Sequence, residues 1–145
     1  MIAQLRGLEI NTLAPLRERH FGNFDVLTAE EELQRYPAAR ACHVARDIHH
    51  DFESGEHLLR FAERVEEEVA YLSKHHPNQT NAAVSHAGVL EIVYRKATGR
   101  PLHTPRDFVI PNCALNWFSF GEYGCHLQAR DDHHHLAKVM LESAE

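Results

Sequence analysis

Apolar residues recur at helical spacing in the middle of the chain. Leu58, Phe61, Ala62, Val65, Val69 and Leu72 share one face and predict an amphipathic helix capped by Ser54 and running to about His75. Its other face carries Glu63, Arg64, Glu66, Glu67 and Glu68, which reads as a solvated charge run. Pro77-Asn78 breaks the helix. Residues 80–85 then read as a short buried strand that turns at His86-Ala87-Gly88 into a second helix, residues 89–98, stopped by Gly99 and Pro101. Residues 113–120 alternate as a strand. The turn Gly121-Glu122-Tyr123-Gly124 leads into a partner strand, residues 125–130, giving a hairpin.

The flanks are less strongly patterned. Residues 1–7 have helical spacing through Ile2, Leu5 and the following Leu8, and Gly7 can end that helix. Residues 8–16 read as extended, closed by Pro15. Thr28 and Glu31 form a capping box for a helix over residues 28–35. Residues 37–52 read as irregular and polar, and residues 135–141 as a last short helix. Helix, strand, helix and hairpin in this order indicate an α/β chain with a mixed sheet.

Composition adds limits. The 145 residues suit one domain, residues 1–145, with 43% apolar and 25% charged residues. A net charge of −6 speaks against a nucleic-acid surface, so a cleft for an anion must be positive locally. Three scattered cysteines, Cys42, Cys113 and Cys125, favour reduced thiols and a cytoplasmic setting. No leader-like start or long apolar run points to a membrane. Thirteen histidines raise the question of metal, but their clusters lack converging ligand spacing, so no metal and no cofactor is expected.

Two places carry candidate chemistry. Strand, then His86-Ala87-Gly88, then helix places an imidazole and free amides at a sheet edge beside a helix N-terminus, a setting that attracts anions. The run Leu16-Arg17-Glu18-Arg19-His20-Phe21-Gly22 packs cations around one carboxylate, suited to phosphate binding and proton transfer. Taken singly, each also reads as a packed or surface turn.

Their order resembles a known family. Residues 16–28 resemble the L-x-E-R-x-F-G-x-W-E-G-x-T run of histidine phosphatases, the phosphoglycerate-mutase-like superfamily. Gly55-Glu56 resembles the family's G-E-S, Val84-Ser85-His86-Ala87-Gly88-Val89 its V-S-H-G-G-V, Pro111-Asn112-Cys113-Ala114-Leu115 its late strand entry, and residues 132–136 its closing D-x-x-H-L. The resemblance implies a three-layer phosphoglycerate-mutase-like sandwich with a mostly parallel sheet. It implies phosphoryl transfer through a phosphohistidine, on a small phosphorylated substrate. On this chain Glu18 matches the proton donor, His86 the second active-site histidine, Arg19 a substrate-contacting arginine, Ala87 a backbone amide at the phosphate, and Asn112 a residue lining the pocket.

The chain also departs from the pattern. Trp-Glu-Gly becomes Phe24-Asp25-Val26, the serine of G-E-S becomes His57, and Glu91 stands where a basic residue often follows, making that flank less positive. No Arg-His-Gly occurs, and Arg19-His20-Phe21-Gly22 falls in the proton-donor run instead. The chain opens on what resembles the end of the helix after the nucleophile, so the expectation is a truncated domain lacking its first central strand. Losing that strand forfeits on the order of 10 kcal/mol of burial, comparable to a domain's whole margin of about 5–15 kcal/mol. A longer protein, a homodimer or a strand-exchanged oligomer would relieve this. Short loops after Phe24 and the Ser85–Val89 turn favour the phosphatase branch over a glycolytic mutase. Three functions stay open: a phosphatase or mutase domain inactive by the phosphohistidine route, a non-catalytic phosphate-binding module, and a histidine-rich metal-binding protein.

Overall fold

Two helices, α4 (Leu58–His75) and α5 (Ala87–Thr98), pack against each other to make the core of the computed structural model, which describes residues 2–136. Leu58, Phe61, Ala62 and Val65 of α4 face Val89, Ile92 and Val93 of α5. This is the stripe that the apolar spacing predicts. Phe118 and Cys125 of a hairpin, β1 (Leu115–Gly121) and β2 (Gly124–Asp132), pack against the same cluster. The hairpin is antiparallel, with Phe118 opposite Leu127 and Phe120 opposite Cys125, and an irregularity between Trp117 and Phe118. Gly124 turns it at φ +102°, a conformation that favours glycine.

Before the core come α1 (Ile2–Arg6), α2 (Ala29–Arg35) and α3 (Pro37–Val44), with single 3-10 turns at Ala14–Leu16 and Gly22–Phe24. Thr28 and Glu31 make the reciprocal capping box of α2. Phe24 and Phe52 are buried in a smaller aromatic cluster with Phe21, Tyr36 and His43. None of the helices among the described residues is long and apolar enough to cross a membrane.

Several sequence expectations need correction. Residues 37–44 are helical, not irregular: Pro37 sits in the first turn, where its missing N–H costs nothing, and Ala38, Ala39 and Ala41 are strong helix formers. The cap of α4 is His57, whose Nδ1 accepts from the Arg60 N–H at 3.1 Å, and Ser54 instead takes a left-handed turn at φ +60°. Residues 80–85 form no strand, and Val84 is fully exposed. Residues 8–13 likewise join no sheet, with Leu8 and Ile10 exposed. A strand exists only where a neighbour takes its N–H and C=O groups, and among the described residues neither stretch has one. The described residues therefore hold one two-stranded antiparallel sheet and no parallel pairing. The expected last helix, residues 135–141, falls largely outside the described residues, and His134–Leu136 form a 3-10 turn.

Candidate anion-binding cleft

The loop after Leu16 is held by one arginine of α4. Arg64 Nη1 donates to the carbonyls of Pro15 (2.6 Å) and Arg17 (3.0 Å), and Nη2 donates to that of Glu18 (3.1 Å). The same guanidinium pairs with both Glu56 oxygens, from Nε at 2.7 Å and Nη2 at 2.8 Å. Such a planar, bidentate fork is the strong form of ion pair. Glu56 in turn fixes the loop through its backbone: its N–H donates to His20 O at 2.8 Å, and its O accepts Arg19 Nε at 2.8 Å. Burial opposes ionisation of Glu56, but the Arg64 hydrogen bonds and the charges of Arg64, Arg17 and Arg19 outweigh it and hold its carboxyl below the usual range.

Thus anchored, Glu18 reaches the start of α5. Its Oε2 accepts the Gly88 N–H at 3.0 Å and its Oε1 the Arg19 N–H at 2.8 Å. Glycine there lets the carboxylate come this close, because a Cβ on residue 88 would overlap Glu18 Oε1 and lie 2.9 Å from its Cδ. Ser85 Oγ donates to Leu16 O at 2.9 Å and ties the two segments together just before the helix. The carboxylate thus occupies the positive end of the helix dipole, where orphan amides accept anions.

Arg19 is 9% exposed. Its guanidinium lies 4.9 Å from the Phe21 ring centre and 5.1 Å from that of Phe52. Its Nη2 is buried without a hydrogen-bond partner. Burial pulls its pKa down to about 10, with Arg46 adding repulsion and Glu56 and Glu18 opposing.

These groups line a cleft of about 410 Å³. Glu18, Ala87, Gly88, Arg19, Phe21, His43, Arg46, Glu91 and Arg106 line it. Leu58, Phe61 and Ile92 of the core add its apolar lining. A second cleft, about 290 Å³, lies between α4, α5 and the hairpin turn and is lined by Val69, Val93, Phe120 and Cys125. Glu66 and Lys96, ion-paired at 2.6 Å, also line it. Among the described residues no three of His, Cys, Asp and Glu converge as metal ligands.

The sequence-predicted residues divide. Glu18, Arg19 and Ala87 meet in the cleft. His86 is the exposed N-cap of α5, with no side-chain cap hydrogen bond, and does not itself line the cleft as its neighbour Ala87 does. Asn112 lies on an exposed turn and does not line the cleft. Two residues are misread from sequence. Arg64 belongs to the site's scaffold and not to a solvated face, and its place one turn after Phe61, at the margin of the apolar stripe, was the available signal. Glu91, expected to make the flank less positive, is 7% exposed and gathers arginines: Arg46 at 2.6 Å, Arg95 at 2.8 Å and Arg106 at 3.5 Å.

A carboxylate on a helix N-terminus, facing buried guanidiniums across a cleft on an α/β scaffold, has the make-up of a site for anionic groups. The chain belongs to the histidine phosphatase superfamily (branch 1), whose family model matches residues 1–133. No curated protein matches it. Among solved structures it is similar to Bacillus stearothermophilus YhfR, at TM-score 0.82 and 22% identity over 93% of this chain and 67% of the other. It is also similar to the alpha-ribazole phosphatase of Shigella flexneri, at TM-score 0.75 and 22% identity over 90% of this chain and 65% of the other. The chain thus spans about two thirds of the length of these structures.

Proposed function

We propose that the cleft takes the phosphoryl group of a small phosphomonoester, in the manner of the phosphatase branch of the family. Glu18 is the proton donor to the leaving oxygen. His86 and the Ala87 N–H hold phosphoryl oxygens, and Arg19 contacts the substrate. A phosphoryl group in flight spreads charge over three oxygens, so positioned cations and donors are the main requirement, and the leaving alkoxide needs one acid. Asn112 would have to move to reach a ligand and carries no part of this reading. The observation that supports it most is the Glu18 carboxylate seated on the Gly88 amide, 3.0 Å away, where a bound anion and its proton donor would meet.

For the 145 residues as given, which contain no Arg-His-Gly, the reading is binding without phosphohistidine formation. Calorimetry with inorganic phosphate should give a dissociation constant near millimolar, about −4 kcal/mol, weakened in His86→Ala. Absence of binding at tens of millimolar would overturn the phosphate reading. Acid-labile label on the protein after incubation with a radiolabelled phosphomonoester would overturn the claim of no transfer.

The wider arrangement belongs to the same reading. Extended residues 8–13 and 80–85 border the centre of a parallel, three-layer sandwich that a further strand would complete, and the exposure of Leu8, Ile10 and Val84 supports this. A second copy lacks the same strand and cannot supply it, but the unpaired edges of two copies can cover each other, so sedimentation should detect dimers. One domain over residues 1–145, cytoplasmic and with reduced thiols, fits the three free cysteines.

A further inference from the structure

The second cleft, about 290 Å³, has the size of a small-ligand site and shares no lining residue with the anion-binding cleft. Helical spacing builds two of its walls. Val69, Ala70, Ser73 and Lys74 lie three and four apart on α4, and Val93 and Lys96 three apart on α5. Val93 belongs to the core, and Val69 and Cys125 pack against it, so the cleft opens onto core surface. The hairpin adds Phe120, 39% exposed, and the turn glycines Gly121 and Gly124. A Cβ on either glycine would meet nothing within 4 Å. Burial, opposed by Lys96 and aided by Glu66, pushes the Cys125 thiol up to about 11, so it is uncharged, apolar surface at neutral pH. Charge is confined to three side chains. Lys96 and Glu66 neutralise each other at 2.6 Å. Lys74 is exposed and has neither hydrogen bond nor ion pair among the described residues, so one positive charge stays unpaired in a chain of net charge −6.

We propose that this cleft binds a small monocarboxylate with an apolar body, its hydrocarbon against Val69, Val93, Phe120 and Cys125 and its carboxylate at Lys74. The occupant follows from the lining. A sugar or a nucleotide needs several converging donors and acceptors. Beyond the Glu66–Lys96 pair, the side chains here offer only the Ser73 hydroxyl and the Lys74 ammonium. A phosphate monoester, at about −2, exceeds the one free cation, and a carboxylate matches it. Lys74 also stands in the last turn of α4, where a cation complements the helix dipole. That role bears on stability and does not distinguish an acid from the alcohol of the same length. The site is independent of the phosphate reading.

The test is calorimetry of octanoate and of octanol on the full chain, with and without excess inorganic phosphate. Octanoate should bind at or below about a millimolar, and phosphate should leave that value unchanged. Lys74→Gln should weaken octanoate about threefold, the worth of one exposed charge pair, and leave octanol unaltered. Ala70→Phe, at an exposed helix position, should fill the cleft and weaken both probes at least about tenfold. If that variant does not fold, Gly121→Leu, whose added side chain enters open space, carries the same expectation. No octanoate binding, or an affinity untouched by filling the cleft, overturns the site. Equal losses of octanoate and octanol in Lys74→Gln overturn the carboxylate seat. An octanoate affinity that falls as protein concentration rises gives the cleft to a second copy, which also overturns the proposal.

Discussion

Glu18 and Gly88, seventy residues apart in the chain, meet through a 3.0 Å hydrogen bond in which the helix amide donates to the carboxylate. Nothing but hydrogen fits on that face of residue 88. Gly88→Ala should nonetheless leave the fold intact, because the obstructing atom is the end of a flexible side chain. Losing the hydrogen bond, about 1 kcal/mol, is offset by alanine's better helix propensity, also about 1 kcal/mol. Gly22→Ala should behave differently. Residue 22 has φ +59°, and a Cβ there would overlap the Glu53 carbonyl oxygen and lie 2.8 Å from the Gly55 nitrogen, both backbone. Left-handed strain and overpacking should together cost at least about 2 kcal/mol. Urea unfolding of the two variants checks the contrast. Equal stabilities would refute it.

Replacing the carboxylate itself tests the electrostatics of the anion-binding cleft. Glu18→Gln keeps an oxygen for the Gly88 N–H but removes a negative charge facing any bound anion. Inorganic phosphate should then bind a few-fold to about tenfold tighter, since like charges a few ångströms apart near a surface repel by about 1 kcal/mol after screening. Calorimetry at low and high salt should show the gain shrinking with salt. A weaker or unchanged affinity at low salt would place the anion elsewhere.

Arg64 gives the sharpest stability prediction. Its guanidinium serves three carbonyls and the Glu56 carboxylate, and both partners are mostly buried, with side chains 16% and 11% exposed. Arg64→Met keeps the packing stem but strands Glu56, and should cost about 3 kcal/mol. Arg64→Lys restores the charge without the fork, so roughly half the loss should return. Chemical denaturation of both variants decides this, and a loss below about 0.5 kcal/mol in Arg64→Met would show an ordinary surface pair.

That arginine also marks where sequence reasoning stopped. α4, α5 and the hairpin were legible because their signals are local: Phe61 to Val65, Val89 to Ile92 and the Gly121–Gly124 turn lie within a few residues of one another. The meeting of residues 16–19 with residues 85–88 was accessible only through motif resemblance. Arg64 and Glu91 were misread because, besides near partners, each has one 46 or 45 residues away, at Glu18 and Arg46, and a charged side chain's sequence neighbours do not identify a distant partner. Residues 80–85 failed for a related reason. Their apolar pattern suits a strand, but pairing is a property of the neighbour, and Val84 stands exposed without one.

Acid should unfold the chain in two limbs, set by His43 and Glu56. His43 is half-buried beside Phe21 and Phe52, with its Nδ1 buried and unbonded. Burial first, then the charges of Arg19, Arg40 and Arg46, lower its pKa below 6.5. The unfolded chain therefore binds a proton that the native state resists, so stability is full above about pH 6.5 and falls as pH drops below it. Glu56 is depressed from 4.5, so its contribution is present above about pH 4.5 and is lost as pH falls through its lower native value. His43→Phe should remove the first limb and leave the second. It should not destabilise at neutral pH, since it replaces an unsatisfied buried nitrogen with a ring suited to the aromatic cluster. Unfolding free energies measured from pH 8 to about pH 2.5 would show this, and a slope between pH 6.5 and 5 that persists in His43→Phe would assign the limb to another group.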